Sequence, residues 1–136
     1  MIYITRRERF SAAHRMFREE WTEEQNLHIF GKCSNPNWHG HDYELHVTVK
    51  GILNDNFGFF MNISTLKQII KEKIIDQVDH KNINLEVSFM KGKIATTENL
   101  AVAIWDELKP AIEREGAILH CVKICETENN SIEYYG

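Results

Sequence analysis

The run Tyr43-Glu44-Leu45-His46-Val47-Thr48-Val49-Lys50 constrains this chain more than any other stretch. Tyr43, Leu45, Val47 and Val49 alternate with Glu44, His46, Thr48 and Lys50. A period of two predicts a β-strand with one apolar and one polar face. A sheet of such strands must cover its apolar face with other elements. Two stretches of helical period supply the cover. Leu66, Ile69, Ile70, Ile74 and Val78 form a stripe over residues 64–78, with Ser64 at the N-cap position. A second helix opens at Thr96-Thr97-Glu98-Asn99, continues through Leu100, Ala103, Ile104 and Leu108, and closes at Gly116. Pro110 lacks an N–H and is expected to kink or restart that helix. Residues 2–13 and about 118–126 read as further strands, the latter with Ile118, Val122 and Ile124 on one face. Residues 15–38 are polar and irregular, apart from a capping box for a short helix at Thr22–Gln25. The order β-β-α-α-β, with room for a short last strand, predicts an α+β fold: an antiparallel sheet with two helices on one face.

A length of 136 residues suits a single domain, 1–136, whose core needs no staple. Lys and Arg number 16 against 20 Asp and Glu, a net charge of −4 that argues against a dedicated nucleic-acid binder. The apolar runs are too short for a transmembrane helix, so no membrane partner is expected. The start, MIYITRRERF, places charges where a signal peptide would be apolar. Three cysteines at irregular spacing fit a reducing, cytoplasmic compartment. Seven histidines is the unusual count, and it points to chemistry.

His39-Gly40-His41 opens the best strand, and residues i and i+2 of a strand share a face, so both imidazoles can reach one ion. Gly40 allows close approach of backbone or ligand. Three histidines and one open position make a catalytic zinc site, and His14, ending the first strand, is the best-placed third ligand. Taken alone, a His-x-His pair is weak evidence, and two ordinary polar residues at a strand end is the favoured reading. His28, His46 and His120 take that ordinary reading, His46 as a solvated residue and His120 as a satisfied sheet histidine. Cys33 lies in a polar loop beside Lys32, surroundings that lower a thiol pKa, although an inert buried cysteine fits its position as well. Cys121 and Cys125 alternate with apolar residues and read as inert packing; no further soft ligands lie near them in sequence. In Asp79-His80 the carboxylate can orient and charge the imidazole for proton transfer, or the histidine can serve as a helix C-terminal cation. Glu126, if enclosed, can accept hydrogen bonds from a ring N–H and an exocyclic amine.

The segments FSAAH, GKCSNPNWHGHDY, DHKNIN, TTEN and ETENN span nearly the whole chain. In order and spacing they resemble the 6-pyruvoyltetrahydropterin synthases and the related 6-carboxytetrahydropterin synthases. The resemblance implies that His14, His39 and His41 bind Zn2+. It implies that Cys33 is the catalytic base, assisted by Asp79 and His80 of a neighbouring subunit. Glu126 would anchor the pterin ring, with Thr96, Thr97 and Glu98 lining its pocket. The fold implied is the tunnelling fold (T-fold), whose sheets join into a barrel of subunits, commonly a homohexamer built as a dimer of trimers. The substrate implied is 7,8-dihydroneopterin triphosphate. One branch eliminates triphosphate with an internal redox rearrangement; the other, in queuosine biosynthesis, makes 6-carboxytetrahydropterin and releases acetaldehyde. The gap Cys33-Ser-Asn-Pro-Asn-Trp-His39 resembles the pyruvoyl branch. Trp38 and Asp42 depart from that branch, which has Gly and Asn there. A non-catalytic zinc- or purine-binding T-fold protein is the rival of another class. A dihydroneopterin aldolase or cyclohydrolase is a further T-fold alternative, and the His-x-His pair argues against the aldolase, which needs no metal.

Overall fold

The computed structural model describes residues 1–136. The alternating stretch lies inside a long strand, β2 (His39–Gly51), antiparallel along its whole length to β1 (Ile2–His14). Phe10 and Tyr43 face each other across this ladder and stack at 4.9 Å. The sheet has five strands in the order β3-β1-β2-β4-β5, with β3 (Lys81–Asn82), β4 (Ile118–Cys125) and β5 (Ser131–Tyr134). The β1–β2, β2–β4 and β4–β5 ladders are antiparallel; β3 adds a two-residue parallel pairing at one edge.

The β4 register shifts between Thr48 and Val49: Cys121 opposes Thr48 and Leu119 opposes Val49, leaving His120 as the extra residue of a bulge. The parity of β4 flips there. Leu119, Val122 and Ile124 face the core, while Ile118, expected inside, is exposed. Cys121 belongs to the opposite face, paired with Thr48.

Helices cover the apolar face. α1 (Glu23–Phe30) starts with the expected capping box between Thr22 and Gln25. The first long helix is three pieces: α2 (Ile63–Ile70), a π-helical turn (Lys71–Ile75) and α3 (Asp76–Val78). Its cap is Asn62, not Ser64; the Asn62 carboxamide oxygen accepts from the Ser64 N–H at 2.8 Å, and the cap lies two residues earlier than expected. Leu66, Ile70, Ile74 and Val78 are all fully buried at a spacing of four. An α-helix, at 3.6 residues per turn, would rotate such a stripe off the core, and the wider π turn restores it. After β3 comes a short α4 (Ile83–Glu86), and then α5 (Thr97–Arg114), capped by the Thr96 hydroxyl. Pro110 neither ends nor restarts α5. It lies on the exposed face with Asp106, where solvent can take the carbonyl it leaves unpaired. A cluster of 26 buried residues joins α2, α3 and α5 to the sheet. No helix is long and apolar enough to cross a membrane.

Candidate active site

The paired ends of β1 and β2 place the histidines. His14 and His39 are cross-strand partners, and His41 lies two residues further along the same face. Their ring centroids are 4.5 Å (His14–His39), 5.2 Å (His14–His41) and 5.1 Å (His39–His41) apart. Gly40 between them eases packing: a Cβ there would lie 3.1 Å from the Ala12 carbonyl oxygen of β1, tighter than an ordinary contact. His14 is 1% exposed, and its Nδ1 is 2.7 Å from the Ala95 carbonyl oxygen just before α5. That contact puts the proton on Nδ1 and the lone pair on Nε2.

His14 Nε2, both nitrogens of His39 and His41 Nε2 are buried without a hydrogen-bond partner. Buried polar atoms are costly unless partnered, so their convergence marks a place for a ligand. One nitrogen from each ring lies within 4.8 Å of the others. Burial holds the His14 and His39 pKa values below the ordinary imidazole value, and the neighbouring imidazoles act in the same direction. Neutral rings with free lone pairs are what a divalent metal needs, and this donor set fits a three-imidazole centre.

Glu126 follows β4 and turns the chain towards β5, its N–H donating to the Asn130 carbonyl at 3.1 Å. One carboxylate oxygen accepts the Thr97 hydroxyl from the first turn of α5; the other is 3.6 Å from His41 Nε2. The carboxylate borders a cleft of about 720 Å³, shared with Arg9, His41, Asp42, Glu44 and Cys125. Thr96 spends its hydroxyl capping α5. Glu98 is exposed and makes no hydrogen bond to Thr97 or Glu126.

Cys33 sits half-buried in a 3-10 turn (Gly31–Ser34) after α1. That turn is anchored to the end of β1: Met16 donates to the Cys33 carbonyl at 2.8 Å, and Arg15 Nε to the Ser34 carbonyl at 2.7 Å. Burial pushes the thiol pKa up, and the Glu126 carboxylate adds to the rise. This corrects the expectation of a lowered thiol: Lys32 is exposed, and its charge is screened by solvent. Burial likewise raises the Tyr43 hydroxyl, with Glu126 and Cys33 contributing, and that hydroxyl has no partner. Tyr43 was missed from sequence, although its parity, two residues beyond His41, could have placed it here.

Asp79 and His80 are clamped to β1. Ser11 donates its N–H to Asp79 Oδ1 at 2.9 Å and accepts the His80 N–H at 2.7 Å. The Asp79 carboxylate is 3.0 Å from His80 Nδ1 and is held below the usual carboxylate range, first by the Ser11 N–H and then by His80. His80 takes a left-handed backbone (φ 59°), and its side chain is 83% exposed. It lines a cleft of about 460 Å³ together with Ser11, Gly40, His41 and Asp42. Trp38, before His39, is also left-handed at φ 67°, a conformation natural to glycine, and its ring packs edge-on against Phe17.

The model of the 6-pyruvoyl tetrahydropterin synthase family matches residues 3–136. A 6-pyruvoyl tetrahydrobiopterin synthase of Dictyostelium discoideum is 47% identical over 135 residues, 99% of this chain and 96% of that protein. A 6-carboxy-5,6,7,8-tetrahydropterin synthase of Bacillus subtilis (strain 168) is 30% identical over 97 residues, 69% of this chain and 62% of that protein. The solved 6-pyruvoyl tetrahydropterin synthase of Caenorhabditis elegans superposes with a TM-score of 0.92 at 34% identity, covering 99% of this chain and 95% of that one. With this fold, and with sequence likeness over nearly its whole length, the chain belongs to the 6-pyruvoyl tetrahydropterin synthase family.

Proposed function

We propose that residues 1–136 form a single pterin synthase domain that converts 7,8-dihydroneopterin triphosphate to 6-pyruvoyltetrahydropterin. The enzyme is a cytoplasmic lyase of tetrahydrobiopterin synthesis, working as a homohexamer. The observation that carries this reading is the convergence of unpartnered imidazole nitrogens beside the Thr97–Glu126 pair. Glu126 accepts the ring N–H and exocyclic amine of the pterin, and the Thr97 hydroxyl fixes the carboxylate for that task. By family likeness, Thr96 and Glu98 at the start of α5 belong to the same pterin pocket. His14, His39 and His41 hold Zn2+; when bound, the ion acidifies C–H bonds beside the side-chain hydroxyls and stabilises enolate-like charge. Cys33, whose thiol pKa burial and Glu126 raise in the metal-free chain, removes and returns protons at the side-chain carbons, and a cation bound by the imidazoles would favour its thiolate. Asp79 orients and charges His80, which relays protons to and from Cys33 of a neighbouring subunit. Triphosphate departs by elimination.

The longer gap between Cys33 and His39 and the higher identity to the pyruvoyl relative favour this product over 6-carboxytetrahydropterin. Mass spectrometry of the product decides. The expected mass is that of the pyruvoyl compound; the carboxy compound with acetaldehyde would transfer the chain to the queuosine branch. Pterin binding without turnover would make it a binding protein. Protein purified without added metal is expected to carry about one zinc per chain at the three-imidazole centre. His39→Ala and His41→Ala each lose one equivalent relative to the unsubstituted chain, and unchanged metal content in both would remove the metal assignment.

A further inference from the structure

On the polar face of the sheet a second set of metal-ligating side chains meets, its Glu44 and Cys125 bordering the cleft that also reaches His41 and Glu126. Glu44 and Cys125 are direct partners across the β2–β4 ladder, and His46 lies two residues from Glu44 on the same face. One donor atom from each lies within 4.8 Å of the others, and all three side chains are half-buried. The further ligands that Cys125 lacks in sequence thus come from the neighbouring strand, as a carboxylate and an imidazole. His46 Nε2 is 2.7 Å from Glu44 Oε1. The other oxygen, Oε2, is held separately, by Arg7 at 2.9 Å and Arg9 at 3.4 Å. The His46–Glu44 contact is a hydrogen bond from Nε2–H, and metal binding would replace it: the imidazole proton is released, Nε2 and Oε1 turn to the ion, and Oε2 stays fixed by its arginine partners. Lys123, opposite His46, is engaged by Glu133 at 3.1 Å.

We propose that Glu44, His46 and Cys125 bind one thiophilic divalent cation, of the zinc or cobalt class, at a site separate from the three-imidazole cluster. Thiolate sulfur and imidazole nitrogen select such ions over magnesium or calcium. The Glu44 carboxylate and the Cys125 thiolate balance the double positive charge. Arg7 and Arg9 stay on Oε2 and are 50% and 73% exposed, so solvent screens them from the ion. Three protein ligands leave a fourth position for water. Cys125 immediately precedes Glu126, so the ion pins β4 to β2 where the pterin-facing carboxylate leaves the sheet. The proposal does not depend on which reaction the chain catalyses.

The test is cobalt(II) titration of the metal-stripped full chain, read by bound metal and by absorbance. The three-imidazole cluster has no thiolate, so a thiolate-to-cobalt charge-transfer band reports the second site. Cys125→Ser, and independently His46→Gln, lose that band and one equivalent per chain while keeping the other equivalent. Cys33→Ser keeps the band. His39→Ala loses the other equivalent and keeps the band, so failure of the imidazole cluster is distinguishable. Saturation of the unsubstituted chain with no thiolate band, or a band and uptake unchanged in Cys125→Ser, overturns the proposal.

Discussion

Glu126 acts on its surroundings through both oxygens. One takes the Thr97 hydroxyl, the other faces His41, and the charge adds to the burial that raises both the Cys33 thiol and the Tyr43 hydroxyl. Hydrogen bonds to a charged group contribute about 1.5–3 kcal/mol. Glu126→Gln keeps the shape and removes the charge, so binding of a non-reacting pterin is expected to weaken roughly 10–100-fold. Equilibrium binding by fluorescence measures this, with metal content as the control; unchanged affinity would place the ring anchor elsewhere. A second consequence concerns His14 and His39, whose pKa values burial depresses. The unfolded chain binds more protons than the metal-free fold once pH falls below about 6.5. Stability is therefore full above that value and is lost as pH drops towards the folded-state values. The thermal midpoint of metal-free protein is expected to be lower at about pH 5.5 than at about pH 7.5, and His39→Gln narrows the difference. A flat profile would mean the rings are solvated. At this scale the imidazoles were legible because strand parity alone places His39 and His41 together. The direction of the Cys33 shift was not, because it depends on burial and on Glu126, which the fold brings from 93 positions away along the chain.

Among the elements, the helix before Asp79 links packing to the site. Its stripe at every fourth residue needs about four residues per turn, between the α and π values. The π turn supplies the difference, keeps Ile74 and Val78 in the core, and delivers Asp79 to the β1 backbone at Ser11. Ile74→Ala is expected to cost about 2–5 kcal/mol, while Glu72→Ala, exposed in the same turn, stays within about 0.5 kcal/mol. Urea denaturation measures both; equal small effects would mean that Ile74 is not seated in the core. The stripe was readable from sequence, but its π turn was not, because the same apolar residues fit a helical period without it. The bulge at His120 escaped for a related reason. Ile118, Val122 and Ile124 keep one parity on paper, and only the pairing with Thr48 and Val49 shows where it flips. The two-residue β3 carries no periodicity at all, and it exists because Ser11 pulls the chain after Asp79 against β1.

The sheet as a whole ends in two edges that short strands cover only in part. β3 pairs only with β1, and β5 only with β4, so each presents unpaired backbone groups on its outer side. Open edges invite pairing with another chain unless something closes them. Ile2, Ile52 and Ile118 are also exposed, at the end of the sheet far from the histidines, where Ile2 pairs with Gly51 and Ile118 with Lys50. Joining such sheets into a ring removes the edges. The β3 edge carries the Asp79–His80 pair, and the β5 edge follows the turn after Glu126, so in the proposed oligomer edge-to-edge joining would set the dyad of one chain beside the pocket of the next. Cys33→Ala and His80→Ala chains are each expected to be inactive in pure oligomers. General acid–base groups contribute about 10²–10⁴-fold to rate, so the background is low enough for recovery to be seen. In oligomers reassembled from both, some interfaces unite an intact Cys33 with an intact His80, and part of the activity returns. Native mass spectrometry verifies the mixing, and activity is scored against the fraction of mixed interfaces. Full activity in a monomer, or no recovery in verified mixed oligomers, would place the whole site within one chain, with His80 acting across the cleft it shares with its own His41.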